Sequence, residues 1–366
     1  LTFSRISYTL TISQNNDIAN EKVLQCGVFF RMMRNYRSQT AKELHRPMTS
    51  NTSHCKIVDC TIRDGGLVNN WDFSVEFVQD LYRWLNEAGV DYMEIGYKNS
   101  PKLLKGADSA GPWRFLDDRF LREVIPQKGN TKLSALCDVG RVDENDILPR
   151  EESLLDLIRV ACYIQDVDKA LRLVELFHQR GYETTLNIMA LSNVLENQLV
   201  EAFRAIADSP VDVVYIVDSY GSLLPDDVAY LVDLFRKHLP NKRLGSHMHN
   251  NLQLAFANTL LAAGMGVELL DASVYGMGRA AGNCPTELLV SKLKNPKYEV
   301  RPVLQMIEKH MIPLREKEEW GYIIPYMITG LLDEHPRSAM ALRNSPDKDK
   351  AVDFYDRLTT VETARS

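Results

Sequence analysis

The stretch RLGSHMHNNLQLAFANTLLAAG, residues 243–264, joins a strand-like run to a helix-like run. Arg243–Met248 is predicted to be a strand, and Leu252–Ala263 a helix that ends at a glycine. Side chains two positions apart on a strand share a face, so His247 and His249 project together. Two imidazoles on one face form half of a divalent-metal site. Alternatively, the two histidines could be polar residues at the end of a strand with no role in binding a metal.

The same unit recurs along the chain between residues 55 and 296. Alternating strands and helices predict a parallel sheet, and eight units in about 240 residues favour a closed TIM (β/α)₈ barrel. The rival is an open doubly wound sheet, but no Gly-x-Gly-x-x-Gly follows the first strand. The predicted strands are Lys56–Cys60, Val90–Gly96, Lys132–Cys137, Leu155–Ala161, Glu183–Met189, Val211–Val217, Arg243–Met248 and Glu268–Val274. The other predicted helices are Ser74–Ala88, Arg114–Ile125, Val167–Arg180, Glu196–Ala207, Pro225–His238 and Pro285–Leu293.

The segments on either side of the barrel differ from it in pattern. Residues 1–54 combine arginine, serine and threonine with several acids, and we expect a poorly defined N-terminal extension. It reads either as a transit-type segment or as an upstream extension, with the folded protein beginning near Met48. Residues 297–345 predict a helical cap, a C-terminal extension of the barrel with helices at Val303–Met311 and Glu316–Leu332. Residues 346–366 form a charged tail, either a short helix or a frayed end.

Composition excludes several classes of protein. The 366 residues are 45% hydrophobic and 25% charged, with a net charge of −6. No basic stripe suggests a nucleic-acid surface, and no apolar run reaches the roughly 18–20 residues of a membrane span. Six scattered cysteines without a Cys-x-x-Cys pair predict a reduced, cytoplasmic chain, with Cys60 and Cys137 in the core.

Polar residues collect at the predicted C-terminal ends of the strands, where barrels of this kind carry their chemistry. Closure of the barrel makes strands one, seven and eight neighbours. Asp64, His247, His249 and Asn283 are therefore predicted to converge. One carboxylate, two imidazoles and an amide oxygen suit Mn²⁺, Mg²⁺, Co²⁺ or Zn²⁺.

Each of these residues also has a structural explanation when taken alone. Asp64, before two glycines, could shape a turn. Arg63 could form an ion pair inside the barrel, and Arg159 could pair with Asp138 or Glu94. Together they favour a site, in which Arg63 is a fixed cation suited to an enolate or carboxylate oxygen.

Three motifs in order resemble those of the DRE-TIM metallolyases. The run DCTIRDGG at 59–66 is similar to the D-x-T-[LI]-R-[DE]-G signature, and HMHNN at 247–251 to the paired-histidine motif. The loop through Gly282 and Asn283 resembles the last motif. The likeness spans about residues 56–295 and is closest to 4-hydroxy-2-oxovalerate aldolase. The Claisen-condensing synthases of the superfamily usually carry Gly-x-Gly-Glu-Arg where this chain has GMGRA at 276–280.

The resemblance implies a set of roles. Asp64, His247 and His249 would bind the metal, with Asn283 a weaker ligand or a supporting group. Arg63 would hold the pyruvyl enolate.

Further residues are implied to act on the substrate. We expect Arg159 and Ser219 to bind it, and Tyr322 or Tyr326 of the cap to reach the site as a catalytic group. One departure stands out, because the related aldolases place their proposed catalytic histidine three residues after the metal aspartate, where this chain has Leu67.

The predicted activity is that of a divalent-metal-dependent aldolase, which cleaves or forms a 4-hydroxy-2-oxo acid through a metal-bound pyruvate enolate. Two alternatives remain: a Claisen-type enzyme that condenses an acyl-CoA with a 2-oxo acid, and a non-catalytic or partner-dependent barrel subunit. The resemblance also suggests an aldehyde dehydrogenase partner, and we expect a homo-oligomer.

Overall fold

The computed structural model describes residues 52–104 and 109–365, with side chains through residue 360. The expectations for residues 1–51 therefore lie outside the described residues.

Eight parallel strands close into a barrel in chain order, and β8 pairs with β1. The predicted TIM barrel is confirmed. The strands are β1 Lys56–Asp59, β2 Tyr92–Tyr97, β3 Lys132–Asp138, β4 Leu155–Cys162, β5 Glu183–Ile188, β6 Val213–Asp218, β7 Arg243–Met248 and β8 Leu269–Ala272.

Most strand residues are buried on both faces of the sheet. Every residue of β2, β4 and β6 is buried, as expected when helices cover the outside and side chains fill the interior. Cys60 and Cys137 are fully buried, as predicted. The interior cluster includes Val58, Cys60, Tyr92, Leu157, Val213, Tyr215, Val217 and Leu269.

The predicted helices around the barrel are present, with some ends shifted. Ser74 caps the first of them, since its hydroxyl accepts a hydrogen bond from the amide of Phe77 at 3.1 Å. The predicted helix Arg114–Ile125 is shorter than expected. Asp117 starts it late by capping the amides of Arg119 and Phe120, both at 3.0 Å. The helices are Val75–Glu87, Asp118–Val124, Val167–Gln179, Glu196–Asp208, Pro225–His238, Ala255–Gly264 and Thr286–Lys292.

One helix was not predicted. Thr61–Asn69 is helical and begins directly after β1, so Arg63 and Asp64 lie in a first helical turn. Gly65 and Gly66 weaken the local preference for a helix. Tertiary packing requires Gly66, because a Cβ at this position would lie 2.0 Å from the ring of Trp71.

The helical extension after β8 is confirmed, but its second predicted helix, Glu316–Leu332, is wrong at its start. That helix begins only at Ile324. Gly321 has a φ of +104°, which an L-residue rarely adopts, and Pro325 lies in the first turn, where proline is tolerated. The extension contains Val300–Met306, a π-helical turn Ile307–Met311, Ile312–Arg315, Ile324–Leu331 and Arg337–Arg343.

The extension covers the C-terminal end of the barrel at the loops after β6 and β7. The Asn251 side-chain amide donates to the carbonyl of Tyr326 at 3.0 Å. The hydroxyl of Ser222 donates to a carboxylate oxygen of Asp333 at 2.5 Å. The cap is therefore placed directly over the strand ends that carry the paired histidines.

The tail forms a helix, Ala351–Arg365. Residues 350–365 group apart from the compact unit that contains the barrel and its cap. No helix in the described part of the chain is both long enough and apolar enough to cross a membrane.

Gly245→Ala should destabilise the barrel. A Cβ at this position of β7 would lie 2.4 Å from the ring of fully buried Tyr215. Overpacking of this kind costs about 1–3 kcal/mol, which urea denaturation would measure. Gly65→Ala is the matched control, because its Cβ would meet only the flexible side chain of Met277, at 3.0 Å. Equal losses in the two variants would contradict this packing.

Candidate functional site

The predicted metal-binding residues come together at the C-terminal end of the barrel. Asp64, His247 and His249 are buried, and one ligand atom from each lies within 4.8 Å of the others. The two imidazole rings are 5.0 Å apart between centroids and nearly perpendicular. His247 lies on β7, and His249 follows it in an isolated bridge to Asn283.

Asn283 lies beside the carboxylate, as predicted. Its side-chain nitrogen Nδ2 donates to Oδ2 of Asp64 at 2.7 Å. Its Oδ1 atom is buried and has no hydrogen-bond partner within the described residues. Buried amide oxygens are normally satisfied, so this orphan acceptor fits a site that holds a cation. The loop approaches closely, because a Cβ on Gly278 would lie 2.7 Å from Oδ2 of Asp64.

Hydrogen bonds set the orientation of both imidazoles. Nδ1 of His247 lies 2.8 Å from Oδ2 of Asp271, and Nδ1 of His249 lies 3.3 Å from the carbonyl oxygen of Gly282. This pairing assigns the proton to Nδ1 and leaves Nε2 of each ring as the ligand atom. Burial lowers the pKa of His249 well below its usual value, which gives the neutral imidazole that a metal requires. The residues present therefore fit a divalent ion.

The carboxylate of Asp64 is held in its ionised form. Burial alone would raise its pKa, but the charge of Arg63, with smaller contributions from His249 and His247, outweighs burial and holds the pKa well below its usual range. Arg63 donates from Nη1 to Oδ1 of Asp64 at 2.5 Å and from Nε to Oε2 of Glu94 at 2.6 Å.

A chain of alternating charges connects the two sides of the site through the barrel interior. Glu94 pairs with Arg159 at 3.1 Å, and Arg159 donates to Asp271 at 2.6 Å. Since Asp271 also contacts a histidine, the network has a predicted metal-binding residue at each end. In order, its members are Asp64, Arg63, Glu94, Arg159, Asp271 and His247.

Arg159 was predicted to bind the substrate, but its side chain lies fully buried in the barrel interior. It is 0% exposed, and its guanidinium lies 4.4 Å above the ring of Tyr215. The pairing with Glu94 left open by the sequence is present. The geometry therefore supports a positioning role, in which Arg159 fixes Glu94 and Asp271.

Ser219 lies at the end of β6 beside the cluster. Its hydroxyl accepts from the amide of Ala190 at 2.9 Å, and its carbonyl accepts from Nη2 of Arg279 at 2.5 Å. The hydroxyl proton is still available to donate to a substrate oxygen.

The two cap tyrosines differ in their surroundings. Tyr326 is buried, and its hydroxyl accepts a hydrogen bond from Nη1 of Arg343 at 2.7 Å. Burial raises the pKa of this phenol, so it is neutral near pH 7. Tyr322 is 52% exposed. The structure thus gives Tyr326 a polar partner in the cap and leaves Tyr322 open to solvent.

Two residues without a predicted role contact the site. Asp271 touches both His247 and Arg159, and Arg279 lies 3.4 Å from Nε2 of His249. The position of Asp271, an acid on a buried strand next to the strand that carries His247, could have indicated a role at the site. For Arg279 the only signal was a charged residue inside a Gly-rich loop.

A second cluster of metal-ligand types is better explained without a metal. Cys60, His247 and Asp271 also lie within ligand distance of one another. Burial raises the pKa of the Cys60 thiol well above its usual value, so the thiolate that binds metals is absent.

A TIM barrel with a buried carboxylate and two imidazoles at the C-terminal strand ends defines a metal-dependent barrel enzyme. The HMGL-like family model matches residues 54–310, and the chain belongs to this family of metal-dependent carbon–carbon lyases. The resemblance to this family and the enzyme class, both predicted from the sequence, are confirmed.

Two relatives have related but different activities. The chain is 31% identical over 245 residues to 4-hydroxy-2-oxovalerate aldolase of Pelotomaculum thermopropionicum, covering 67% of this chain and 71% of the relative. It is 29% identical over 249 residues to oxaloacetate decarboxylase of Mycobacterium tuberculosis, covering 68% and 72%.

Solved structures share the fold. The N-terminal domain of a suspected aldolase from Bacteroides vulgatus is 29% identical, with a TM-score of 0.67 over 81% of this chain and 99% of that domain. Hydroxymethylglutaryl-CoA lyase of Pseudomonas aeruginosa is 19% identical, with a TM-score of 0.56 over 72% of this chain and 94% of that chain.

Proposed function

We propose that this protein is a divalent-metal-dependent aldolase that cleaves a 4-hydroxy-2-oxo acid to pyruvate and an aldehyde. The observation that carries the proposal is the buried cluster of Asp64, His247 and His249 beside the guanidinium of Arg63. The aldolase relatives, whose name specifies a 4-hydroxy-2-oxo acid, give the substrate class.

The ion at this site would be held by Asp64 and by Nε2 of His247 and His249, with the amide oxygen of Asn283 next to them. When bound, it supplies Lewis acidity to the oxygens of a 2-oxo acid. We propose Mn²⁺, Mg²⁺, Co²⁺ or Zn²⁺, because the mixed nitrogen and oxygen ligands do not separate them.

In cleavage, the 4-hydroxyl gives its proton to a base as the bond between C3 and C4 breaks. Its electron pair moves to C3 and the 2-oxo oxygen, forming the enolate of pyruvate, while C4 becomes the aldehyde carbonyl. Arg63 is fixed by Asp64 and Glu94, so its positive charge needs no reorganisation as the enolate oxygen becomes negative.

The base is the open part of this proposal. Leu67 is partly buried against the hydrophobic core and has no group that could accept a proton. We propose that a tyrosine of the cap, Tyr326 or Tyr322, takes this role. The hydrogen bond and charge of Arg343 oppose the burial that raises the pKa of Tyr326, and they would stabilise the phenolate that a base requires.

With Mn²⁺ added, the purified protein should release pyruvate from 4-hydroxy-2-oxovalerate together with an equal amount of acetaldehyde. Removing the metal with EDTA should abolish release, and adding it back should restore it, because the ion and Arg63 stabilise the same developing charge. A coupled lactate dehydrogenase assay measures pyruvate. Full activity after verified metal removal would contradict the proposal.

A second candidate function is decarboxylation of a 3-carboxy-2-oxo acid. Leu67 favours it, because loss of CO₂ leaves the enolate without removing a hydroxyl proton, and one relative is named oxaloacetate decarboxylase. Oxaloacetate in the same assay separates the two, since it yields pyruvate with CO₂ and no aldehyde.

Release of free thiol from acetyl-CoA in the presence of a 2-oxo acid would instead indicate Claisen condensation. Co-purification of an aldehyde dehydrogenase would support a partner-dependent subunit.

A further inference from the structure

Arg279 reaches across the mouth of the candidate site. Its backbone amide donates to Oδ2 of Asp64 at 3.2 Å, which anchors the residue beside the carboxylate. Its side chain extends from the loop after β8 to the loop after β6, where Nη2 donates to the carbonyl of Ser219 at 2.5 Å. The same Nη2 atom lies 3.4 Å from Nε2 of His249.

Arg279 differs from the other two arginines of the site because it forms no ion pair with an acid in the described part of the chain. Among the ion pairs formed within residues 52–104 and 109–365, none involves Arg279, whereas Arg63 and Arg159 each contact two carboxylates. Its Nε atom is buried and has no hydrogen-bond partner among the described residues.

His335 of the cap lies near enough to Arg279 for the two groups to interact electrostatically. Burial, together with the charges of Arg279 and Arg337, lowers the pKa of His335 to about 4, so His335 is neutral near pH 7. A partly buried guanidinium with an unused donor and no ion pair among the described residues is suited to an anionic ligand.

The charges of the ion-pair network, of Arg279 and of a bound divalent ion indicate how many negative charges a ligand should carry. Three arginines and three carboxylates cancel, so a divalent ion leaves two positive charges. A 2-oxo acid with one carboxylate neutralises one of them, and a 2-oxo diacid neutralises both. The arginines are Arg63, Arg159 and Arg279, and the carboxylates belong to Asp64, Glu94 and Asp271.

We infer that Arg279 binds a second carboxylate on the substrate, and that the preferred substrates are 2-oxo diacids. This inference rests on the proposed function, which supplies the 2-oxo acid. The second carboxylate remains on the aldehyde fragment, because a cation that stabilises a carboxylate would oppose its loss as CO₂. Aldol cleavage of a 4-hydroxy-2-oxo diacid then yields pyruvate and an aldehyde that carries the second carboxylate; for 4-hydroxy-2-oxoglutarate this aldehyde is glyoxylate.

The test compares two non-reacting ligands that differ only at one end, 2-oxoglutarate and 2-oxopentanoate. Their affinities for the Mn²⁺-loaded protein are measured by calorimetry, in the original protein and in Arg279→Gln. We expect the original protein to bind 2-oxoglutarate about 10- to 100-fold more tightly, the worth of a charge-assisted hydrogen bond. Arg279→Gln should lose this preference and keep its affinity for 2-oxopentanoate.

Two further variants serve as controls. Arg279→Lys keeps the charge without the planar fork and should retain part of the preference. Arg83→Gln makes the same charge change on an outer helix, where the guanidinium is half-exposed, and should behave as the original protein.

Cleavage assays with 4-hydroxy-2-oxoglutarate and 4-hydroxy-2-oxovalerate test the same difference in turnover. Equal affinity for the two non-reacting ligands, or an equal loss of both in Arg279→Gln, would overturn the inference while leaving the aldolase proposal intact. If neither ligand binds and neither hydroxy acid is cleaved, the proposed function itself fails.

Discussion

Asp64→Asn should abolish metal binding and turnover together. The variant keeps the shape of the side chain and removes its negative charge, which is the only formal charge among the four groups proposed to hold the ion. Asp64 also accepts hydrogen bonds from Arg63, Asn283 and the amide of Arg279. An amide nitrogen in place of one oxygen would face these donors and repel both them and a cation.

The expected loss is large because two effects act on the same step. A site left with two neutral imidazoles and a neutral amide binds a divalent ion weakly, and Arg63 loses one of the two carboxylates that fix it. We expect turnover to fall by at least about 10³-fold, comparable to removing a central group for electrostatic stabilisation. Metal content after dialysis and titration with Mn²⁺ would measure binding separately from activity.

The matched control is Asp80→Asn, on an outer helix. Asp80 also belongs to a cluster of metal-ligand types, with Glu76 and His310, but its carboxylate is paired with Lys309. This variant should retain both metal binding and activity. An Asp64→Asn protein that binds Mn²⁺ as tightly as the original would disprove the assignment of the metal centre.

Arg159→Met should cause the largest loss of stability among single changes at the site. Arg159 is fully buried, and its removal leaves the buried carboxylate of Asp271 without the cation that pairs with it. Breaking a buried ion pair from one side costs about 3–5 kcal/mol, because the remaining charge is desolvated without compensation. Urea denaturation of the two proteins measures the difference in free energy of unfolding.

The double variant Arg159→Met/Asp271→Asn distinguishes a lost ion pair from simple loss of packing. Removing both charges should recover at least about 1 kcal/mol relative to the single variant, since coupled buried pairs show interaction energies of this size. Additive losses would contradict a direct Arg159–Asp271 pair.

Asp271→Asn alone should weaken metal binding by about 10- to 100-fold, because Asp271 orients His247.

Local pattern was enough to predict the barrel and the convergence of an aspartate with two histidines at one end of it. Eight short apolar runs separated by amphipathic helices leave few ways to bury both faces of a parallel sheet, so closure followed from the repeat. The convergence of Asp64 with His247 and His249 followed from closure, since chain order makes β1 the neighbour of β8.

Local sequence pattern did not predict helix boundaries where long-range packing determines the backbone conformation. The helix Thr61–Asn69 contains two adjacent glycines and forms because Trp71 and Met277 pack against them. The cap helix begins late because Gly321 has a positive φ. Neither feature has a periodic signal.

By itself, the sequence determined the barrel, the convergence of Asp64 with His247 and His249, and the absence of a histidine at Leu67. Only the tertiary structure decided that Arg159 is buried between Glu94 and Asp271, that Asp271 contacts His247, and that Arg279 forms no ion pair among the described residues. The physical reason is that sequence periodicity reports which face of an element is buried. The pairing of charges depends on distances of a few ångströms between strands that are far apart in the chain.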